Sequence, residues 1–385
     1  MKYVDEYRDA RLAKDIARQI ATAVDPARSY HFMEFCGGHT HAISRYGLAD
    51  LLPSNVWMIH GPGCPVCVLP IGRIDAAIAL AMRPEITLCT YGDLMRVPCS
   101  NGSSLLKAKA AGADIRIIYS TLDSLSIAEA ETDREVVFFA IGFETTTPPT
   151  ALALKFAIAK GLRNFSIFSN HVRTPAAIQN ILESPDVGKP GAVKIDGFIG
   201  PAHVSTVIGT EPYDFVAEKF KKPVVVAGFE PLDIMHAVLM LVRQVNDGWH
   251  QVGNQYIRVV TTFGNEKAQS EIANFFELRE SFEWRGLGEV PYGALRLRPQ
   301  YGEYDAEKRF RMVTPAAQDN PACECAAILR GMKKPADCKL FGKVCTPDTP
   351  VGSCMVSSEG ACAAHWIYGR FRGQVKADEG SRIVR

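Results

Sequence analysis

The 385-residue chain has no excess of either charge: 43 lysines and arginines stand against 42 aspartates and glutamates, a formal charge of +1. That balance removes the electrostatic case for nucleic acid or an anionic membrane surface as the main partner. Nowhere do about 18 apolar residues run together, as a membrane-crossing helix requires. The first residues carry Lys2, Asp5, Glu6, Arg8, Asp9 and Arg11 in place of an apolar signal region. A soluble, cytoplasmic protein is expected. No Gly-x-x-x-x-Gly-Lys-Ser/Thr loop occurs, so nucleotide binding of that kind is not foreseen. With 47% apolar and 22% charged residues the chain is no disordered tail protein, and at roughly 150 residues per domain its length predicts two to three domains.

The most informative absence is that of cysteine between residues 100 and 322. Cys36, Cys64, Cys67, Cys89 and Cys99 precede the gap, and Cys323, Cys325, Cys338, Cys345, Cys354 and Cys362 follow it. Eleven cysteines without a secretory signal argue for metal or redox chemistry over a disulfide framework. Their split predicts two separate sites.

Hydrophobic patterning predicts an α/β protein. Residues 5–24 have the spacing of a helix, with Leu12, Ile16 and Ile20 on one face. Runs at 30–35, 56–60, 86–91 and 115–119 are expected strands, alternating with helices at 71–82 and 103–111. The rhythm resumes with strands at 135–141, 165–169, 195–199, 223–227 and 257–263 and helices at 151–159, 232–245 and 266–277. Such alternation predicts two similar α/β domains, 25–130 and 131–264, with mostly parallel sheets. From about Trp284, Gly, Pro and Arg interrupt every apolar run, leaving helices only near 324–332 and 360–369. This predicts a third, mostly helical and irregular domain, 265–385, completed by residues 1–24 and organised by a metal or cluster.

Two motifs follow expected strands, where ligand sites gather in open α/β sheets. In Cys36-Gly37-Gly38-His39-Thr40-His41, the thiol and imidazole could share a metal, form a nucleophile and base, or simply flank a turn. In Gly61-Pro62-Gly63-Cys64-Pro65-Val66-Cys67, a Cys-x-x-Cys at a helix start favours a redox dithiol over half a zinc site. Asp93 is placed to face the same cleft as Cys36, or to cap a helix. Cys89 fits a core position. Cys325, Cys338, Cys345 and Cys362, separated by twelve, six and sixteen residues, lack the close pairs of zinc ribbons, so four thiolates on an iron-sulfur cluster are the stronger option. Cys323 and Cys354 are spare thiols. Gly142 to Thr146, His171, His203 and Glu230 put further polar groups at expected strand ends, where Thr145, Thr146 and Thr174 are explained by helix capping.

Taken in this order, Cys36-Gly-Gly-His-Thr-His41, Gly61-Pro-Gly-Cys-Pro-Val-Cys67, Gly142-Phe-Glu-Thr-Thr146 and the late quartet resemble the HypD family of hydrogenase maturation factors over residues 30–365. The resemblance implies a scaffold that works with the chaperone HypC to build the Fe(CN)2CO unit of a nickel-iron hydrogenase, with HypE carrying the cyanide precursor and the hydrogenase large subunit reached through HypC. It further implies that Cys36 binds that iron jointly with a HypC cysteine, supported by His39, and that Cys64 and Cys67 form a dithiol and disulfide pair. Cys325, Cys338, Cys345 and Cys362 would hold a 4Fe-4S cluster that exchanges electrons with the pair. An iron-sulfur-dependent protein disulfide reductase would use the same residues and is the competing expectation.

Overall fold

Nine short apolar runs become strands, and each pairs only with parallel neighbours. In a computed structural model of the protein, which describes residues 4–184 and 193–369, these are β1 (Tyr30–Glu34), β2 (Val56–His60), β3 (Ile86–Thr90), β4 (Asp114–Ile117), β5 (Glu135–Gly142), β6 (Phe165–His171), β7 (Gly197–Gly200), β8 (Val224–Val226) and β9 (Val252–Asn254). One sheet has the order β2-β1-β7-β8-β9, the other β4-β3-β5-β6. The strands β3, β5, β6, β7 and β8 are buried almost throughout, as befits sheets covered on both faces by crossover helices. The expected α/β class with parallel sheets is what forms.

The strands do not divide at 130/131, however. β3 and β4 pair beside β5 and β6, whereas β1 and β2 join β7 to β9. The chain starts one sheet, builds the other whole, and returns to finish the first. Alternation alone identifies strands but not their partners, which depend on where each crossover lands.

Three further expectations are corrected. Residues 257–263 form no strand: Tyr256 O accepts from the N–H groups of Val259 and Val260 in a turn, Arg258 is drawn onto the buried Asp233 carboxylate, and Ile257 is 77% exposed. The N-terminal helix, Ala10–Ala23 after a short turn at Asp5–Arg8, does not complete a third domain. Its Ala13, Ile16 and Ile20 pack on the long helix Pro231–Asp247 over the first sheet. Thr146 and Thr174 accept no capping bonds. Thr146 donates to the carbonyls of Ile141 and Phe143, and Thr174 bonds Glu144.

The C-terminal segment is irregular, as expected, but it begins with two antiparallel pairs, Phe276–Leu278 with Leu295–Leu297 and Ser281–Trp284 with Gly288–Pro291. Its helices at Cys325–Leu329 and Ala361–Ala364 are short. It has no core of its own. Cys325, Ile328, Cys338, Cys345, Cys354 and Cys362 share one apolar cluster with Met33 of the first sheet, Phe35 just after β1, and Phe139 and Phe168 of the second sheet. The end of the expected segment, 370–385, lies outside the described residues.

Candidate functional site: a line of thiols between two sheets

Both sheets change direction of strand order at one point, between β1 and β7 in the first and between β3 and β5 in the second. Crevices open at the carboxyl ends of strands at such points. Cys36 follows β1, Asp93 follows β3, and Glu144 follows β5.

Cys36 is the N-cap residue of the helix Gly37–Tyr46 and is only 7% exposed. The local frame is set by Glu34, a fully buried carboxylate at the end of β1. It accepts from the Cys36 N–H at 2.9 Å and from the Thr40 hydroxyl, and pairs with His60 Nδ1 at 2.9 Å. Burial, with Glu359 and Glu34 nearby, pushes the Cys36 thiol up to about 12, against the pull of the Gly38 and His39 N–H groups. The thiol therefore waits protonated. A cation arriving there displaces that proton, as metal binding to cysteine does generally. Gly37 permits the approach of Glu359: a Cβ at residue 37 would lie 2.4 Å from the Glu359 Cβ.

His39 is fully buried, and its Nε2 lies 3.0 and 3.1 Å from the carbonyls of Ala227 and Gly228, so Nε2 carries the proton. Nδ1 has no partner, and burial lowers the ring's pKa. Neutral imidazole with a free lone pair is the form that accepts a proton or a metal. Phe229 lies between this ring and that of His203, at 5.0 and 4.2 Å between centroids. Asp93 reaches the same region indirectly: its Oδ2 accepts from Ser357 Oγ at 3.1 Å, Ser357 Oγ accepts from the Glu359 N–H, and burial together with the charge of Asp93 raises the Glu359 carboxyl above its ordinary value.

The second motif lies directly on the first. Gly37 N–H donates to Gly63 O at 3.0 Å, and a Cβ at residue 63 would sit 2.4 Å from the Cys36 backbone nitrogen. Cys64 caps the four-residue helix Pro65–Val68 and is joined to Cys67 as a disulfide, Cα atoms 5.2 Å apart. Cys67 is 0% exposed. Its carbonyl accepts from Ser353 Oγ at 3.0 Å, and its sulfur lies 4.0 Å from Ser353 O. The next residue is Cys354.

Around Cys354 the late thiols gather. Cys325 has Cys323, Cys354 and Cys362 as its electrostatic neighbours, and Cys362 has Cys345. Cys338 and Cys345 are buried in the same apolar cluster. Of the quartet expected from spacing, Cys325 and Cys362 lie together, and the spare thiols Cys323 and Cys354 lie with them. Gly352 completes the cradle, since a Cβ there would be 2.5 Å from both Cys323 Sγ and Cys325 Sγ. All six late thiols are free, and among the described residues no three His, Cys, Asp or Glu side chains are set to hold a metal ion. The donor set is nevertheless soft, buried and screened by apolar residues, which fits a thiolate-held iron-sulfur cluster.

A family model described as HypD, "Hydrogenase formation hypA family", matches residues 11–369. The chain belongs to the HypD family. Within the family it is similar to the hydrogenase maturation factor HypD of Rhizobium leguminosarum bv. viciae, at 83% identity over 384 residues covering 100% of both chains. It is also similar to HypD of Cupriavidus necator, at 63% identity over 97% of this chain and 98% of the other, and to HypD of Escherichia coli K12, at 48% over 96% and 98%. It is accordingly a hydrogenase maturation factor. No helix among its described residues is long and apolar enough to cross a membrane.

Of the remaining candidates, Glu230 has a structural role, capping the Pro231–Asp247 helix and pairing with Arg8. Cys89 is a core residue with its thiol held up to about 12 by burial, and Cys99 bonds Asn101. Glu144, buried, clamps the loops after β5 and β6 by accepting from Thr174 N–H and Oγ1. Sequence reasoning missed Glu34, Ser353 and Glu359. Glu34 carried a signal, a charge inside the apolar run Tyr30 to Phe35; the other two did not.

Proposed function

We propose that this HypD-family protein is the scaffold on which, together with a HypC-type chaperone, an iron atom bearing cyanide and carbon monoxide is assembled for a nickel-iron hydrogenase large subunit, with a HypE-type protein donating the cyanide. The iron unit is the substrate. Cys36 binds it jointly with a partner cysteine, the neutral His39 ring supports the site, and Asp93 sets the charge near it through Ser357 and Glu359. Cys325, Cys338, Cys345 and Cys362 hold a resident 4Fe-4S cluster, which when bound supplies single electrons. Opening the Cys64–Cys67 bond takes up two electrons and two protons, so this pair can exchange electron pairs beside the substrate. All of this is cytoplasmic work in our reading.

The observation that carries the proposal is the unbroken contact from the Cys36 loop, through Gly63 to Cys64 and Cys67, and through Ser353 to its neighbour Gly352, which packs on the Cys323 and Cys325 sulfurs. A freestanding disulfide reductase is disfavoured by the same geometry. It must offer a sulfur to a protein substrate in a mixed disulfide, and Cys64 and Cys67 are 3% and 0% exposed. The test is anaerobic purification with the HypC-type partner, infrared spectroscopy for cyanide and carbonyl bands, and iron and sulfide analysis. Wild type should show both bands and sulfide. Cys36→Ala should lose the bands and keep the sulfide; bands retained on that variant would overturn the assignment.

A further inference from the structure

Arg285 leaves the hairpin strand Ser281–Trp284 with its backbone N–H donating to Val68 O at 2.8 Å, which fixes it against the end of the Cys64–Cys67 turn. Its side chain is 2% exposed, yet Nε, Nη1 and Nη2 all lack a hydrogen-bond partner. Its nearest carboxylate is that of Asp319, whose Oδ1 lies 3.2 Å from Nε without the alignment of a hydrogen bond and whose side chain is 42% exposed. Glu283 stands two residues before it in the hairpin strand. The residue after it, Gly286, packs on the short helix that starts at Cys325: a Cβ at residue 286 would lie 3.1 Å from the Cα of Ala326, the neighbour of Cys325. A guanidinium has five N–H donors and stays charged at any accessible pH. Buried with those donors unmade it is costly, and such a group in a native protein calls for a partner, whether ordered water, an ion or a bound group.

We infer that Arg285 is the counter-charge of the thiolate-held group at the late cysteines, a positioning residue that favours its reduced form. The inference rests on the cluster reading given above. Four thiolates outweigh the positive charge of an iron-sulfur core, and each added electron makes the group more negative. A fixed cation in this low-dielectric core therefore stabilises the reduced state more than the oxidised one. Its backbone tie to Val68 places the same residue beside the disulfide turn, so it borders both redox elements.

The test uses the full-length protein, loaded anaerobically with iron and sulfide or stripped by chelator. In the loaded form Arg285→Met should shift the one-electron reduction equilibrium at least tenfold toward the oxidised state, 59 mV lower in potential, while Arg285→Lys stays closer to wild type. Melting should separate the states: Arg285→Met lowers the melting temperature of loaded protein and leaves that of stripped protein unchanged or higher. Asp319→Asn, at a half-exposed position, probes the same field without touching the core and should raise the potential. An unchanged potential in Arg285→Met and Asp319→Asn, or equal melting losses with and without iron, would overturn the inference. Wild-type protein that takes up no iron and sulfide would overturn the cluster reading itself, and the inference with it.

Discussion

Replacing Gly63 by alanine should prise apart the two loops that carry Cys36 and Cys64. The added methyl would lie 2.4, 2.6 and 2.8 Å from the backbone N, Cα and C of Cys36, so one strand end must retreat by about 1 Å to reach ordinary contact distance. Cys36 cannot retreat freely, because its N–H is held by the Glu34 carboxylate at 2.9 Å and the next N–H, of Gly37, donates to Gly63 O at 3.0 Å. Overpacking of this kind costs about 1–3 kcal/mol, and losing the Gly37 bond adds about 1 kcal/mol. Against this, alanine restricts the unfolded chain by about 0.4–1 kcal/mol. The net loss should be about 2–3 kcal/mol, a roughly 30- to 150-fold fall in the folded-to-unfolded ratio. Urea unfolding followed by circular dichroism reads it as a lower midpoint at unchanged slope. Gly92→Ala is the control, since a methyl there meets only Ile117 Cγ2 at 3.7 Å. It should be neutral or slightly stabilising. Gly63→Ala as stable as Gly92→Ala would refute the apposition of the two loops.

Three other perturbations test separate parts of the structure. Cys338→Ala should abolish iron and sulfide uptake and lower the melting temperature of anaerobically loaded protein, because cluster binding contributes to folding there; wild-type metal content and melting would sink the ligand assignment. His171 is fully buried, donates from Nε2 to Thr150 Oγ1 at 2.9 Å, and is held down to about 3 by burial. Its contribution is fully present above the unfolded value near 6.5 and is lost as pH falls toward 3, at about 1.4 kcal/mol per pH unit. Between pH 7.5 and 5, His171→Gln should lose about 2 kcal/mol less stability than wild type in urea titrations, and parallel losses would contradict this. Ser353→Ala removes the hydroxyl bonded to Cys67 O and should cost about 1 kcal/mol, with faster alkylation of Cys67 after reduction; unchanged alkylation would show that Ser353 does not hold the turn.

The strands were legible because parallel sheets buried on both faces leave continuous apolar runs such as Val136 to Ile141, and the motif loops were legible because they follow those runs. Strand partners were not, since nothing in Val56 to His60 tells whether the chain next crosses to the same sheet or to another. The run 257–263 misled for a related reason: its hydrophobicity is that of a strand, but Arg258 is drawn onto Asp233 and the backbone turns instead. At the site, cysteine spacing reports which thiols are near in sequence, whereas Cys323 and Cys354 come to Cys325 through the packing of Gly352 and the Ser353 contact with Cys67. Arg285 could not be singled out before its burial was known, because one arginine among 43 basic residues carries no mark.

The order in which the ribosome delivers this chain gives the interrupted first sheet another meaning. β1 and β2 emerge early, but β7 to β9, which complete their sheet, emerge only after the whole second sheet has been made. Phe229, which packs on His39, emerges between β8 and β9, and Glu359, which closes on Gly37, comes later still. At roughly 5–20 residues per second, Cys36 spends on the order of tens of seconds outside the ribosome before its surroundings exist. A chain stalled earlier thus presents the Cys36 motif without its buried environment, and the environment itself certifies that synthesis has passed residue 359.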